Sequence, residues 1–471
     1  MLQLTVGFIN IFDRKQNREV SIMERHELII IGGSAGGVQT AICAQKHHGL
    51  KDILVIRMED KVMVPCGIPY IYGTLGAVEK NIMSDKMLGE AKLKIDEAVS
   101  IDRRNKTVKL KDGEEIGYNK LVLATGSNPL QPPIPGMDKK NVWFAWKNTN
   151  YLEELAKAIE GVGDIVVIGG GFIGVEFADE CRKKGHQITI VELLEHCLQL
   201  VCSTDLCMRA EDTLKASGVN IITSNGVKSI NGKEKAESVT LQSGEEIKCD
   251  MVIVGIGVVP NVKLAKDAGL EIGPTGGIKV DEFQRTNDHD IFAVGDCAEK
   301  YSFYNGEPVP IRLASVATRE GKIAAANLFE PQWRNIGTIG VFSTVVGDTA
   351  MAMAGLTDIN AQKLGYDVVV GEAEAASKHP GTMPDARPMR VRLAFDRRSG
   401  KILGGCACCT LTVGEVSNII ATAIVNEMTM EQIAMCPIGT HPFLTAGPLV
   451  YQFTDAASNA LHKVKNMVKA A

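Results

Sequence analysis

Twice in this chain a short run of branched apolar residues stops at a block of glycines, and a helix-like stretch begins directly after it. The first copy is Leu28-Ile29-Ile30-Ile31, then Gly32-Gly33-Ser34-Ala35-Gly36-Gly37, then Val38-Gln39-Thr40-Ala41. The second is Ile165-Val166-Val167-Ile168, then Gly169-Gly170-Gly171-Phe172-Ile173-Gly174, then Val175-Glu176-Phe177-Ala178. Apolar runs without alternation read as strands buried on both faces, the mark of a parallel sheet. A glycine block between such a strand and a helix is a dinucleotide fingerprint. In the first copy Gly32 allows the tight turn, small Ser34 permits close backbone approach to a pyrophosphate, and Gly37 lets the helix pack on the strand. The helix N-terminus then faces the phosphates. The second copy, with Gly169, Gly171 and Gly174 in the corresponding block, is the cleaner of the two. These two copies are the only internal duplication, and they predict an α/β chain with two Rossmann-like dinucleotide-binding domains.

The strand after the second fingerprint, Gln187-Ile188-Thr189-Ile190-Val191, ends at Glu192. An acidic residue about twenty positions after such a fingerprint accepts hydrogen bonds from a ribose 2′-hydroxyl and repels a 2′-phosphate, so this half is expected to prefer NAD(H) to NADP(H). Two more segments are expected to complete the first nucleotide site. Lys120 to Ser127 reads as a strand ending in the small-residue turn Ala124-Thr125-Gly126, and Asp290 to Ala298 reads as a strand ending in Gly295-Asp296 before a helix. An aspartate there can bind a ribityl hydroxyl, with the helix N-terminus behind it near the phosphates. Gly255-Ile256-Gly257 closes the second site in the same manner.

Between the fingerprints stands Val64-Pro65-Cys66-Gly67-Ile68-Pro69-Tyr70. Its position puts a thiol beside a bound dinucleotide. No second cysteine accompanies it on the same short segment, so a redox-active Cys66 must work as a lone thiol whose disulfide or sulfenic partner comes from a substrate or cofactor. The apolar stretch Gly67 to Leu75 is expected to open a helix whose N-terminus lowers the thiol pKa. The alternative is a buried structural cysteine.

The net charge of −5 gives no reason to expect nucleic acid or anionic membrane as a partner. No apolar run reaches the roughly eighteen residues of a membrane span. Twelve cysteines in a chain of 471 residues do not suggest a secreted disulfide framework, so a reducing, cytoplasmic location is expected. No signal-peptide pattern occupies the first residues, and residues 1–23 read as an extension.

Taken together, these motifs resemble the pyridine nucleotide-disulfide oxidoreductase superfamily. Within it, they resemble the single-cysteine branch of coenzyme A disulfide reductases, NADH oxidases and peroxidases, and NAD(P)H sulfur and polysulfide reductases. The matching elements run in the family's order from Leu28 to about Ala326. Lys378-His379-Pro380-Gly381 and Lys401 to Gly405 resemble its dimerisation domain. The resemblance implies FAD in the first fold, NADH in the second, and a C-terminal α+β domain that pairs two chains. It also implies hydride transfer from nicotinamide to flavin, and electrons then passing to sulfur at Cys66. The implied organisation is FAD-binding residues 24–148 and 272–335, an inserted NAD-binding unit at 149–271, and an interface domain at 336–471. The acceptor is expected to be a small disulfide, persulfide or polysulfide such as coenzyme A disulfide. An NADH oxidase, or a slow flavin redox sensor or electron relay, is the alternative.

Three departures matter. Oxidases and peroxidases of this branch carry a histidine in the first glycine loop, where this chain has Ala35. The first fold's second strand, Asp52 to Ile56, ends at Arg57 where the family has an acidic ribose ligand; either Glu59 substitutes or adenosine binds differently. Cys436-Pro437-Ile438-Gly439-Thr440-His441-Pro442 resembles the motif by which two-cysteine relatives place a general base across the dimer, yet the orienting glutamate is replaced by Ala446. His441 is therefore a candidate acid/base acting on the partner's Cys66, and Cys436 a candidate second thiol. Cys406-Ala407-Cys408-Cys409 lacks a compatible second ligand pair, so no metal site is expected and strand packing is the better reading.

Overall fold

The computed structural model describes residues 23–470. The extension read over residues 1–23 falls, but for its last residue, outside them.

The first glycine block sits at the end of strand Arg25–Ile31, whose residues Leu28 to Ile30 are fully buried. This strand lies parallel between Ile53–Arg57 and Glu115–Leu123, and Lys92–Ile95 extends the sheet beyond Ile53–Arg57. Glu115–Leu123 is shared. Its first half pairs antiparallel with Thr107–Leu110, and its last residues Leu121 to Leu123 pair in parallel with Ile291–Ala293, far along the chain. Helix Ala35–His48 covers one face, crossed closely by helix Ala314–Ala326, where a Cβ on Gly321 would come 2.7 Å from the Gly36 carbonyl oxygen.

The second fold repeats the plan. Asn220–Ile222, Gln187–Val191, Asp164–Ile168, Met251–Val254 and Val142–Phe144 form one wholly parallel sheet, with helix Phe172–Lys183 after the second glycine block. The repetition extends to single atoms. Gly32 and Gly169 adopt φ of 114° and 100°, a left-handed region that favours glycine, and make the strand-to-helix turn. A Cβ on Gly37 would sit 1.9 Å from the Gly32 carbonyl oxygen, and one on Gly174 would sit 1.9 Å from that of Gly169. No side chain fits either gap, so each helix rests directly on its own turn.

A short antiparallel pair, Ser127–Pro129 with Val258–Pro260, ties the two folds together. The C-terminal part is different in kind. Val341–Val346, Thr349–Gly355, Ile402–Cys408, Pro388–Asp396 and Val368–Ala376 form an antiparallel sheet in that order. Helices Val413–Val425 and Gln452–Ala470 bury Ile420, Ala423, Ile424, Phe453, Ala456 and Ala460 in the core they share with that sheet. The architecture is thus α/β with two Rossmann-like folds and an α+β C-terminal part. Among the described residues no helix is long and apolar enough to cross a membrane.

Candidate active site

Parallel strands place their following loops on one edge, and in a doubly wound sheet that edge is where ligands bind. Here the edges of both sheets open onto one continuous cavity of about 1760 Å³. Its wall includes Gly32, Ser34, Ala35, Glu59, Thr125, Gly126 and Asp296 from the first fold. From the second it includes Gly169, Gly171, Glu176, Glu192 and Gly257. Gly37 and Gly174 lie behind the wall, as the packing glycines.

The two loops fit dinucleotides on their own geometry. Helices Ala35–His48 and Phe172–Lys183 begin without a side-chain cap and without an acidic residue in the first turn. Their first amides and the positive end of each helix dipole are therefore left for a ligand anion. Gly126, Gly171 and Gly257 have no atom within 4 Å of where a Cβ would stand, so a ligand can lie against their backbone. The Glu192 carboxylate, at the strand end, accepts from the Gly170 amide at 2.5 Å and the Leu194 amide at 2.7 Å, which fixes it beside the second glycine loop.

At the corresponding end of the first fold's second strand stands Arg57, which lines the cavity. Its guanidinium is buried, forms a two-pronged pair with Asp85 at 2.6 and 2.9 Å, and donates to the carbonyls of Glu59 and Asp60. It is a strut for the loop that puts Glu59 on the cavity wall.

Asp296 differs from expectation. The strand before it is followed by a single 3₁₀ turn, Gly295–Cys297, and not directly by a helix. It is held instead by the Ser127 hydroxyl at 2.7 Å and the Lys147 ammonium at 3.2 Å. Burial works against its charge, but Lys147, Ser127 and Lys300 together keep its carboxyl below the usual range.

Cys66 also departs from the sequence reading. Proline on either side breaks the backbone into two 3₁₀ turns, Pro65–Gly67 and Pro69–Tyr72, and no helix opens at the thiol. The thiol is exposed to the cavity but flanked by protein. Desolvation, with Glu176 from the second fold and Asp296 from the first, pushes its pKa up, and Lys147 only partly opposes them. Glu176 is itself perturbed. Desolvation raises it to about 7, with Glu180 and Asp179 adding repulsion, against hydrogen bonds from Thr344 at 2.8 Å and Tyr70 at 3.5 Å. Tyr70, Lys147 and Thr344 belong to the site and were not singled out from sequence. They come from three separate stretches, and only Tyr70, beside Cys66 in the same motif, carried a local signal.

His441 and Cys436 are not brought to this cavity within one chain. Its lining ends at Ser343, and His441 is exposed, with its Nδ1 3.3 Å from the Phe443 amide. Ala446, in the place of the orienting glutamate, is buried. Cys406 and Cys408 pack in the core, as strand residues.

Residues 26–321 match the model of the pyridine nucleotide-disulphide oxidoreductase family, and residues 341–448 match that family's dimerisation domain. The chain belongs to this family. It is an oxidoreductase of the pyridine nucleotide-disulphide type. It is 30% identical over 452 residues to an NADH oxidase of Methanocaldococcus jannaschii, covering 93% of this chain and 99% of that one. It is 31% identical over 395 residues to an NAD(P)H sulfur oxidoreductase (CoA-dependent) of Pyrococcus furiosus, covering 81% and 88%. Among solved structures, an NAD-dependent persulfide reductase from A. fulgidus superimposes with a TM-score of 0.86 at 28% identity, covering 93% of this chain and 84% of that one. The water-forming NADH oxidase from Lactobacillus brevis gives 0.85 at 26%, covering 94% and 100%.

The geometry makes Glu176 a titrating brake on Cys66. Below about pH 7 its carboxyl is mostly neutral and exerts little repulsion; above that it is charged and adds to desolvation in raising the thiol pKa. Glu176→Gln should therefore lower the midpoint of the pH profile of iodoacetamide alkylation at Cys66, with the gain in rate confined to pH above about 7. An unchanged profile would remove Glu176 from the thiol's electrostatics.

Proposed function

We propose that the chain is an NADH-dependent reductase of a small disulfide, persulfide or polysulfide, with Cys66 as the sulfur nucleophile. The observation that carries this reading is the placement of one thiol on the wall of a cavity that both glycine loops also line. In this reading residues 24–148 and 272–335 form the FAD-binding part and 149–271 the NAD-binding part, with two adjustments: strand Val142–Phe144 belongs to the second sheet, and Ala265 and Leu270 pack in the core of the first fold. Gly32, Ser34, Ala35, Gly37, Glu59, Thr125, Gly126 and Asp296 form the FAD site. Gly169, Gly171, Gly174, Glu176, Glu192 and Gly257 form the NADH site. FAD supplies, when bound, the two-electron carrier between NADH and sulfur.

The protein's own residues do the rest. Lys147 favours the Cys66 thiolate and keeps Asp296 charged. The thiolate attacks one sulfur of the acceptor, releasing a thiol and leaving a mixed disulfide for reduction. Ala35 offers no proton donor on its side of the site, which favours sulfur acceptors over peroxide. Reduction of oxygen is the second reading, favoured by the similarity to the Methanocaldococcus jannaschii NADH oxidase. Stopped-flow mixing of the anaerobically NADH-reduced enzyme with coenzyme A disulfide, polysulfide or oxygen separates the two readings.

Cys66→Ser should abolish disulfide or polysulfide turnover while flavin reduction by NADH stays near the wild-type rate. Full acceptor turnover in that variant would overturn the role of Cys66.

Donor choice follows from Glu192, whose fixed carboxylate repels a 2′-phosphate. Steady-state kcat/KM should be higher for NADH than for NADPH, and equal or reversed values would show that the carboxylate does not meet the ribose.

We further propose a homodimer in which His441 acts on the partner's Cys66, leaving each active site incomplete in a single chain. His441→Ala should slow acceptor reduction and shift its pH profile without changing flavin reduction. Mixed dimers of Cys66→Ser and His441→Ala chains should regain part of the activity, since one composite site is then intact. Wild-type acceptor rates in His441→Ala would exclude the cross-subunit role.

A further inference from the structure

The proposed site leaves a second group of thiols unused, at the end of the C-terminal strand Ile402–Cys408. Adjacent residues of a regular strand point to opposite faces, so neighbouring cysteines in a strand do not meet. Here the strand stops between them. Cys408 is its last residue and is buried, whereas Cys409 takes φ of 91°, a left-handed value uncommon outside glycine. The two sulfurs lie 2.9 Å apart. The Arg209 guanidinium, from helix Thr204–Ala216, reaches the Cys409 sulfur at 3.4 Å.

The two thiols are not equivalent. Cys409 is half-buried and its neighbour is enclosed. The hydrogen bond with Cys408 brings Cys409 down to about 7, against burial, with Arg209 and Arg390 assisting and Glu374 opposing. The same hydrogen bond, together with burial, pushes Cys408 up, opposed by Arg209. One partner thus has the character of an accessible nucleophile, and the other that of a protonated thiol held against it.

We propose that Cys408 and Cys409 form a second thiol site, separate from Cys66, that reacts with low-molecular-weight disulfides and closes into a Cys408–Cys409 disulfide. In the first step the Cys409 thiolate attacks a disulfide RSSR. The S–S bond of RSSR breaks, a Cys409–S–S–R bond forms, and RS⁻ leaves. In the second, the Cys408 thiol loses its proton and attacks the Cys409 sulfur. The Cys408–Cys409 bond forms and a second RS⁻ leaves, which takes up the proton. Two protein thiols are oxidised by two electrons, and one RSSR is reduced to two thiols. The reverse sequence with excess RSH reopens the pair. Arg209 acts as a positioning residue, through its contact with the Cys409 sulfur.

The test uses the full-length, FAD-loaded Cys66→Ser protein, so that it does not depend on the function proposed for Cys66. Fully reduced protein is treated anaerobically with oxidised glutathione, free thiols are blocked with N-ethylmaleimide, and fragments are mapped by mass spectrometry. The expected result is loss of N-ethylmaleimide from both Cys408 and Cys409, with the two linked to each other and no glutathione retained. Addition of Cys408→Ser should trap glutathione on Cys409, and Cys409→Ser should leave Cys408 fully alkylatable after unfolding. Retention of N-ethylmaleimide on both residues, or linkage of Cys409 to Cys406 or Cys202, would overturn the proposal. If either double variant fails to fold, the mapping of the parent protein decides alone.

Discussion

Everything in the two nucleotide-binding folds depends on a contact in which no side chain takes part. The first turn of each helix lies against the carbonyl oxygen of the glycine that follows the preceding strand, Gly37 on Gly32 and Gly174 on Gly169, so closely that a Cβ would stand only 1.9 Å from that oxygen. That approach brings the helix amides to the strand edge. Because neither helix is capped from its own side chains, the amides remain turned toward the cavity. The loops Glu59, Asp296 and Glu192 then need only reach the same edge to complete the walls. A larger residue at either packing glycine would displace the helix start, and with it the geometry of the whole site.

On this scaffold the Cys66 thiol is set by burial and opposing charges rather than by a helix end. Desolvation and the two carboxylates Glu176 and Asp296 disfavour the thiolate, and Lys147 favours it. Lys147 also pairs with Asp296, so one cation is shared between the first fold's carboxylate and the thiol. Any bound group that changes the charge beside Lys147 changes Cys66 as well. The thiol's reactivity is in this sense a property of the filled site, not of its local turn.

The sequence disclosed those features that steric need writes into residue type. Glycine blocks, the buried strands before them, and Glu192 at a strand end were all legible, because each position tolerates few alternatives. The turn at Cys66 was misread, because the flanking prolines were given less weight than the apolar run. Lys147 and Thr344 were invisible for a different reason. Each lies in a stretch with no motif, and only the tertiary fold brings Lys147 to act on the thiol and Thr344 to Glu176. Cys409 shows the same limit at short range. Nothing in Cys-Cys-Thr marks a left-handed residue, so alternation along a strand was the default reading, and it separates the very sulfurs that the turn brings together.

The strand Ile291–Ala293 completes the first sheet beside Leu121 to Leu123, after the whole second fold has intervened. The second sheet draws all its strands from between Val142 and Val254. During synthesis, therefore, the inserted fold has every strand it needs before the enclosing fold does. The first glycine loop leaves the ribosome earliest, yet the sheet that supports it stays open along one flank until some 170 further residues have followed Leu123. In that interval Leu121 to Leu123 are paired on one side only, with Ile29 to Ile31, so the fold that begins first is sealed after the one inserted into it.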